Sequence, residues 1–318
     1  MRPRKMALYS ISHMIHILGA FFAGILGLAF GSFLNVCATR WPEGESIMLP
    51  RSHCRHCNRT LAWWENVPLL SWLALRGRCR TCRGSIGWRY PLVELAVAAT
   101  WAICTWQALG EVFAAESTAL SVYDAVGFAV ARMILCWLLI CMAVLDAEHL
   151  WLPDWLTLGG AALGLLVSLS RFAVEWIWTS LPLHWAAEVG WVSRRAHLYD
   201  TALLWLAGML ALPALILLIR WTYRKLRGHE GIGLGDAKLV LLLAAWLGLS
   251  RTLLAYVLGV TLGGLIALTI LLRPAARVAT MPRSRIKLPL GTFLCVGGVV
   301  AALWGGEIVT LYLTWCGF

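Results

Sequence analysis

Apolar residues recur in runs long enough to cross a bilayer: 15–36, 90–110, 125–145, 155–172, 201–221, 239–272 and 290–315. A hydrocarbon core about 30 Å thick needs roughly 20 apolar residues of α-helix. In lipid, backbone N–H and C=O groups find no water, so a spanning segment has to be a helix or part of a closed barrel. Runs of this length read as helix. The fold class is therefore all-α, a polytopic helical membrane protein. Composition agrees, with 60% hydrophobic residues against only 14% charged, where soluble domains carry about 25%. That balance excludes a soluble enzyme, a disordered chain and a nucleic-acid binder, despite the net charge of +11.

Where that charge sits sets the topology. The first run follows Arg2, Arg4 and Lys5. It is longer than a signal-peptide core and no small-residue cleavage site closes it, so it is read as a retained helix. The run 239–272 is long for one helix and short for two, broken only around Gly248-Leu249-Ser250-Arg251. Counting it as two spans gives about eight transmembrane helices with both termini outside. Nineteen of the 27 Lys and Arg then face the cytoplasm and seven lie outside, as the positive-inside tendency requires. The Trp-rich stretch 173–200 (Trp176, Trp178, Trp185, Trp191) is expected to lie along the outer surface.

The longest polar segment, 38–89, holds Cys54-Arg-His-Cys57 and Cys79-Arg-Thr-Cys82, with 21 residues between the pairs. Two such knuckles present four thiolates on tight turns, a closed tetrahedral set that suits Zn²⁺. Two disulfides are the alternative, disfavoured by the reducing side on which the basic flanks place the loop. Neighbouring His53 and His56 are read as bystanders. A closed site has no open coordination position, so the metal is structural. The other six Cys (Cys37, Cys104, Cys136, Cys141, Cys295, Cys316) lie in or beside spans, as small hydrophobes.

Carboxylates at the membrane boundary are costly and mark function. Asp146 ends the third run, in Asp146-Ala147-Glu148-His149-Leu150-Trp151-Leu152-Pro153-Asp154. Asp236 stands in Gly233-Leu234-Gly235-Asp236-Ala237-Lys238, before an apolar run. Both fall on the cytoplasmic side. The turn lacks Walker spacing, and a carboxylate stands where an anion would. Residues 237–250 give a helix of roughly 21 Å. If Ser250 reaches the outer face, Asp236 starts its helix inside the membrane, in a cavity lined by protein or water. Two facing aspartates can share a proton, one serving as base toward water and the other as acid toward a scissile carbonyl. Asp154, after Pro153, reads most simply as an N-cap.

These residues resemble the type IV prepilin peptidases, bacterial inner-membrane aspartic proteases of the GxGD kind. The resemblance runs through Gly31-Ser32-Phe33-Leu34-Asn35-Val36, the four knuckle Cys, and Glu65-Asn66-Val67-Pro68-Leu69-Leu70-Ser71-Trp72. It continues through Leu75-Arg76-Gly77-Arg78-Cys79, Arg89-Tyr90-Pro91-Leu92-Val93-Glu94-Leu95, the segment from Asp146 to Asp154, and the turn at Gly233. It implies catalytic Asp146 and Asp236, with Gly233, Gly235, Lys238, Asp154, Glu65 and Glu94 in support. It also implies removal of the basic leader from prepilins and pseudopilins, then N-methylation from S-adenosylmethionine, an activity associated with 38–89. The domains it suggests are 1–37, a first transmembrane helix; 38–89, a cytoplasmic zinc-binding loop; and 90–318, a transmembrane peptidase. One departure is visible. A Pro-Phe-Gly-Pro-Phe pattern reads Pro289-Leu290-Gly291-Thr292-Phe293 here, which is expected to leave the core motifs untouched and to bear on substrate fit.

Partners on this reading are prepilin-like substrates and the lipid bilayer, with no nucleic acid. The loop's nine Arg face only three Glu. Glu43, Glu45, Glu65 and Glu148 are therefore the acids expected to ease the approach of a basic leader. The rival readings are a methyltransferase without peptidase activity and a zinc-stabilised transporter or secretion scaffold without catalysis.

Overall fold

The structure is a computed structural model that describes residues 3–114, 119–180, 191–228, 233–272 and 288–317. Among these, eight α-helices form: α1 (Pro3–Arg40), α2 (Leu70–Ala74), α3 (Arg89–Ala114), α4 (Ala119–His149), α5 (Asp154–Ser180), α6 (Trp191–Arg227), α7 (Leu234–Leu272) and α8 (Leu290–Trp315). A 3-10 turn at Trp63–Asn66 and two isolated β-bridges accompany them among the described residues. Seven of the helices, all but α2, are long and apolar enough to cross a membrane. The all-α membrane architecture follows, and each helix overruns its apolar core because polar flanks continue the helix into the interface. Of the stretch 173–200 expected at the outer surface, 173–180 end α5 and 191–200 begin α6. Trp176 packs edge-on against Tyr199, ring centroids 5.8 Å apart, while 181–190 and the side chains of Trp178, Trp185 and Trp191 lie outside the described residues.

The chain divides into two compact units, Met1–Cys141 and Met142–Phe318. In the first, α1 lies along α3. Backbones meet there because the contact face is glycine: a Cβ on Gly27 or Gly31 would stand 2.7 or 2.6 Å from the Cα of Ala98 or Glu94. Such small-residue seams let dispersion contacts hold helices together where lipid supplies no hydrophobic drive. Asn35 Nδ2 donates to Tyr90 O at 3.1 Å and Arg89 to Thr39 Oγ1 at 2.6 Å, joining the end of α1 to the start of α3. Buried Arg40 closes the chain behind α1 by donating to Ser46 O and Pro50 O. Arg132, inside α4, donates to Gln107 at 2.8 Å and lies 3.9 Å from Glu111.

The second unit is arranged around α7, whose helical geometry breaks at Gly248 (φ 73°, ψ −173°). Positive φ is cheap only for glycine. Tyr256, beyond the break, packs on the cluster of Ile216, Ala237 and Val240. In an unbroken helix Tyr256 would be roughly 24 Å from Val240, so the chain folds back at Gly248. The run expected to supply two spans is thus a helical hairpin: a first arm of about 14 residues and a second of about 24, roughly 21 and 36 Å. A break also strips helical donors from the preceding carbonyls. Ala245 O is met instead by Ser168 Oγ of α5 (2.9 Å) and Trp205 Nε1 of α6 (3.1 Å). α5 and α6 flank the first arm, and α8 lies along α7, with Gly259 beside Leu294.

Candidate active site and cysteine cluster

Asp146 is set by the last turn of α4, where Leu150 N–H donates back to Asp146 O and Leu150 takes a positive φ of 50°. The helix ends there and the chain runs through Leu152-Pro153 into α5. The Asp146 side chain is buried. Its Oδ2 accepts the Thr292 N–H at 2.6 Å and the Thr292 hydroxyl at 3.1 Å. This N–H belongs to the first turn of α8, one of the donors a helix leaves unpaired, and the positive end of the helix dipole faces the carboxylate.

Asp236 enters from the first turn of α7. Its Oδ2 accepts the Gly233 N–H at 3.3 Å, so the residue three places earlier closes the turn onto the carboxylate. Asp146 and Asp236, ninety positions apart in the chain, belong to the same unit, and the glycines beside them, Gly291 against Asp146 and Gly235 before Asp236, both lie against Leu152. Leu152 walls the space between their supports, lying beside both Gly235 and Gly291. From the Gly248 turn, Asp236 lies roughly 18 Å back along the first arm, level with the interior of the longer second arm. A carboxylate at that depth needs polar company.

Lys238 and Asp154 form an ion pair of 2.6 Å between the starts of α7 and α5. Asp154 is the first residue inside α5, so its carboxylate serves this pair and does not cap the helix; the chain emerging from Pro153 is already helical there. Thr292 and Gly291 escaped the sequence reading as site residues. The departure from the Pro-Phe-Gly-Pro-Phe pattern was their only signal, and it does touch the core motif, because Thr292 bonds Asp146 directly.

The first unit holds the other candidates. Cys54, Cys57, Cys79 and Cys82 bring four Sγ atoms within 4.8 Å of one another. Each knuckle is closed alike: Cys54 N–H to Arg59 O and Cys79 N–H to Gly84 O, with Asn58 and Arg83 at positive φ after the second Cys. Cys54 and Cys82 Sγ are 3.8 Å apart, the edge of a tetrahedron with Zn–S arms of about 2.3 Å. The N–H groups of Cys82 and Thr81, aimed at the sulfur, bring the Cys79 thiol down toward the thiolate a metal needs, while the Cys82 thiol beside it is pushed up. The donor set therefore fits Zn²⁺. His53 and His56 stand outside it: His53 bonds Arg51 O, and His56 packs on Gly84.

Glu65 is buried, and Arg59 and the Ala62 N–H take its two oxygens at 2.7 and 2.8 Å. The Arg59 hydrogen bond holds its carboxyl below the ordinary range. So engaged, Glu65 is withdrawn from any role toward a basic leader, contrary to the sequence expectation. Glu43 and Glu148 remain about half exposed or less, near Arg55 and His149. Glu94 is buried and accepts the Leu69 N–H at 2.7 Å, with Ser32 of α1 as a second partner. It ties the loop to the helices through a turn in which Leu69 has φ 59°.

The bacterial Peptidase A24 N-terminal domain matches residues 25–108, and the Type IV leader peptidase family matches 133–268. The chain belongs to the type IV leader peptidase family. This leader-peptidase chain is 32% identical to a prepilin leader peptidase/N-methyltransferase of Stutzerimonas stutzeri, over 91% of its own length and 92% of the relative's. It is 34% identical to one of Burkholderia pseudomallei (89% and 85% covered) and 31% identical to one of Pseudomonas aeruginosa (92% and 93%). No solved structure matches it. The chain is accordingly a peptidase and a multi-pass membrane protein, and Asp146 and Asp236 both fall within the segment matched to the peptidase family.

Proposed function

We propose that this leader peptidase is an aspartic endopeptidase of the bacterial inner membrane, acting through Asp146 and Asp236. It removes the basic leader of prepilins and pseudopilins at the cytoplasmic face. The observation that carries the reading is the placement of the two carboxylates, at the end of α4 and the start of α7, on either side of Leu152 within one unit. One carboxylate, ionised, takes a proton from water as it attacks the scissile carbonyl. The other donates its proton to the carbonyl oxygen, and the roles exchange as the tetrahedral intermediate breaks. Gly233 and Gly235 shape the turn that presents Asp236, while Lys238 and Asp154 join α7 to α5 beside it. In the loop, a bound Zn²⁺ supplies a structural cross-link between the two knuckles through Cys54, Cys57, Cys79 and Cys82. Both termini lie outside on the charge distribution. N-methylation is supported by the name the relatives carry; the loop has no glycine-rich nucleotide turn of its own.

Co-expression with a prepilin, followed by mass spectrometry of the mature N-terminus, tests the reading. Asp146→Asn and Asp236→Asn should each insert into the membrane normally and leave the leader uncut. Cleavage by either variant refutes it; a chain that cuts no leader even with native aspartates, and whose function survives both substitutions, supports the scaffold.

A further inference from the structure

The Thr292 N–H lies 2.6 Å and its hydroxyl 3.1 Å from the same oxygen, Oδ2 of Asp146. Its hydroxyl also lies 3.1 Å from Ala143 O, one turn back along α4, so the side chain is seated against the end of that helix. The adjoining Gly291 lets the first turn of α8 approach this closely, since a Cβ there would come within 2.9 Å of Oδ2.

A carboxylate oxygen has two in-plane lone-pair directions. At Oδ2 the Thr292 N–H takes one of these, and the Thr292 hydroxyl, whose single proton is shared between Oδ2 and Ala143 O at 3.1 Å each, faces the same oxygen. We propose that Thr292 is a positioning residue that commits Oδ2 of Asp146 to the first turn of α8 and leaves Oδ1 as the oxygen open to the attacking water and to Asp236. This rests on the catalytic reading of the two aspartates. It removes a degree of freedom that a shared-proton pair otherwise has. The carboxyl plane cannot rotate without breaking the N–H hydrogen bond and losing the hydroxyl's share, and the proton the pair shares rides on Oδ1 or on Asp236. The N–H is short and lies on a rigid first turn, so it sets the orientation. The hydroxyl secures it.

The test uses the full-length protein in detergent with a purified prepilin, comparing Thr292→Val, Thr292→Ser and Asp146→Asn. Valine keeps the shape and the N–H but loses the hydroxyl. It should lower kcat about tenfold while KM stays within about twofold, the signature of an interaction that matters in the transition state. Serine should return kcat to within about threefold of the native protein, and the melting temperature should differ little among the three. Native kcat in Thr292→Val, with Asp146→Asn inactive, overturns the positioning role and leaves the aspartate reading standing. A loss in Thr292→Val that serine does not restore, or that tracks a fall in melting temperature, also overturns it. An active Asp146→Asn overturns the underlying reading.

Discussion

Adding one methyl group at Gly291 should damage the site more than the fold. The built Cβ of Gly291→Ala stands 2.9 Å from Oδ2 and 3.0 Å from Cγ of Asp146, and 3.0 Å from Cδ1 of Leu152. Carbon contacts settle at about 3.5–4 Å, so a neighbour has to move by roughly half an ångström or more. Leu152 can rotate; Asp146 is held by Thr292. Overpacking of this kind costs about 1–3 kcal/mol, and replacing glycine by alanine in a helix returns at most about 1 kcal/mol. The net change in stability is therefore small. Activity is another matter, because displacing a reacting group by about 1 Å can cost about a hundredfold. Initial rates of leader cleavage in membranes should fall about ten- to a hundredfold, with the melting temperature nearly native. Gly264→Ala is the control, since a Cβ at Gly264 meets nothing within 4 Å. If Gly291→Ala cleaves as fast as that control, the crowding argument and the placement of Asp146 against α8 are both wrong.

Elemental analysis of the purified protein should find about one zinc per chain, lost in Cys54→Ser and Cys79→Ser; stoichiometric zinc in a chain lacking either thiol would refute the tetrahedral assignment. The Glu65–Arg59 pair should make the loop sensitive to acid. Because the folded carboxyl is held below its ordinary value of about 4.3, its contribution is complete at neutral pH and is lost as pH falls through the folded value. Hydrogen exchange of peptides covering 59–66 should therefore accelerate on the acid side of that range, and this acid sensitivity should disappear in Glu65→Gln. An unchanged acid response in that variant would count against the pair.

Much of this protein was readable before any fold was seen, for reasons that differ by element. Six of the seven long helices announced themselves because lipid forbids an unpaired backbone, so hydropathy alone marks where helices must be. The 239–272 run was harder, since its break depends on one residue: Gly248 is apolar in hydropathy and shows its role only through a positive φ. The knuckles were legible because CxxC spacing is local, and four thiols within 4.8 Å follow from two local turns brought together. Glu65 and Glu94 could be singled out as polar residues in odd places, but not assigned partners, because Arg59, Ala62, Leu69 and Ser32 are supplied by the turn geometry and the packing of α1 on α3. Asp154 was mistaken for a cap because its partner, Lys238, lies 84 residues away.

The sequence by itself determined the class of molecule. Runs of apolar residues require spanning helices, the distribution of basic residues points their loops, and carboxylates placed at helix ends beside those runs identify where charge is tolerated. None of that needs a contact between distant residues. Tertiary structure alone decided that α7 doubles back at Gly248, that the turns bearing Asp146 and Asp236 both close around Leu152, and that Thr292 closes on Oδ2 of Asp146. Those facts depend on which helix ends the packing brings to the same depth. Hydropathy and spacing describe each segment along the chain and carry no information about the distance between two segments once they pack.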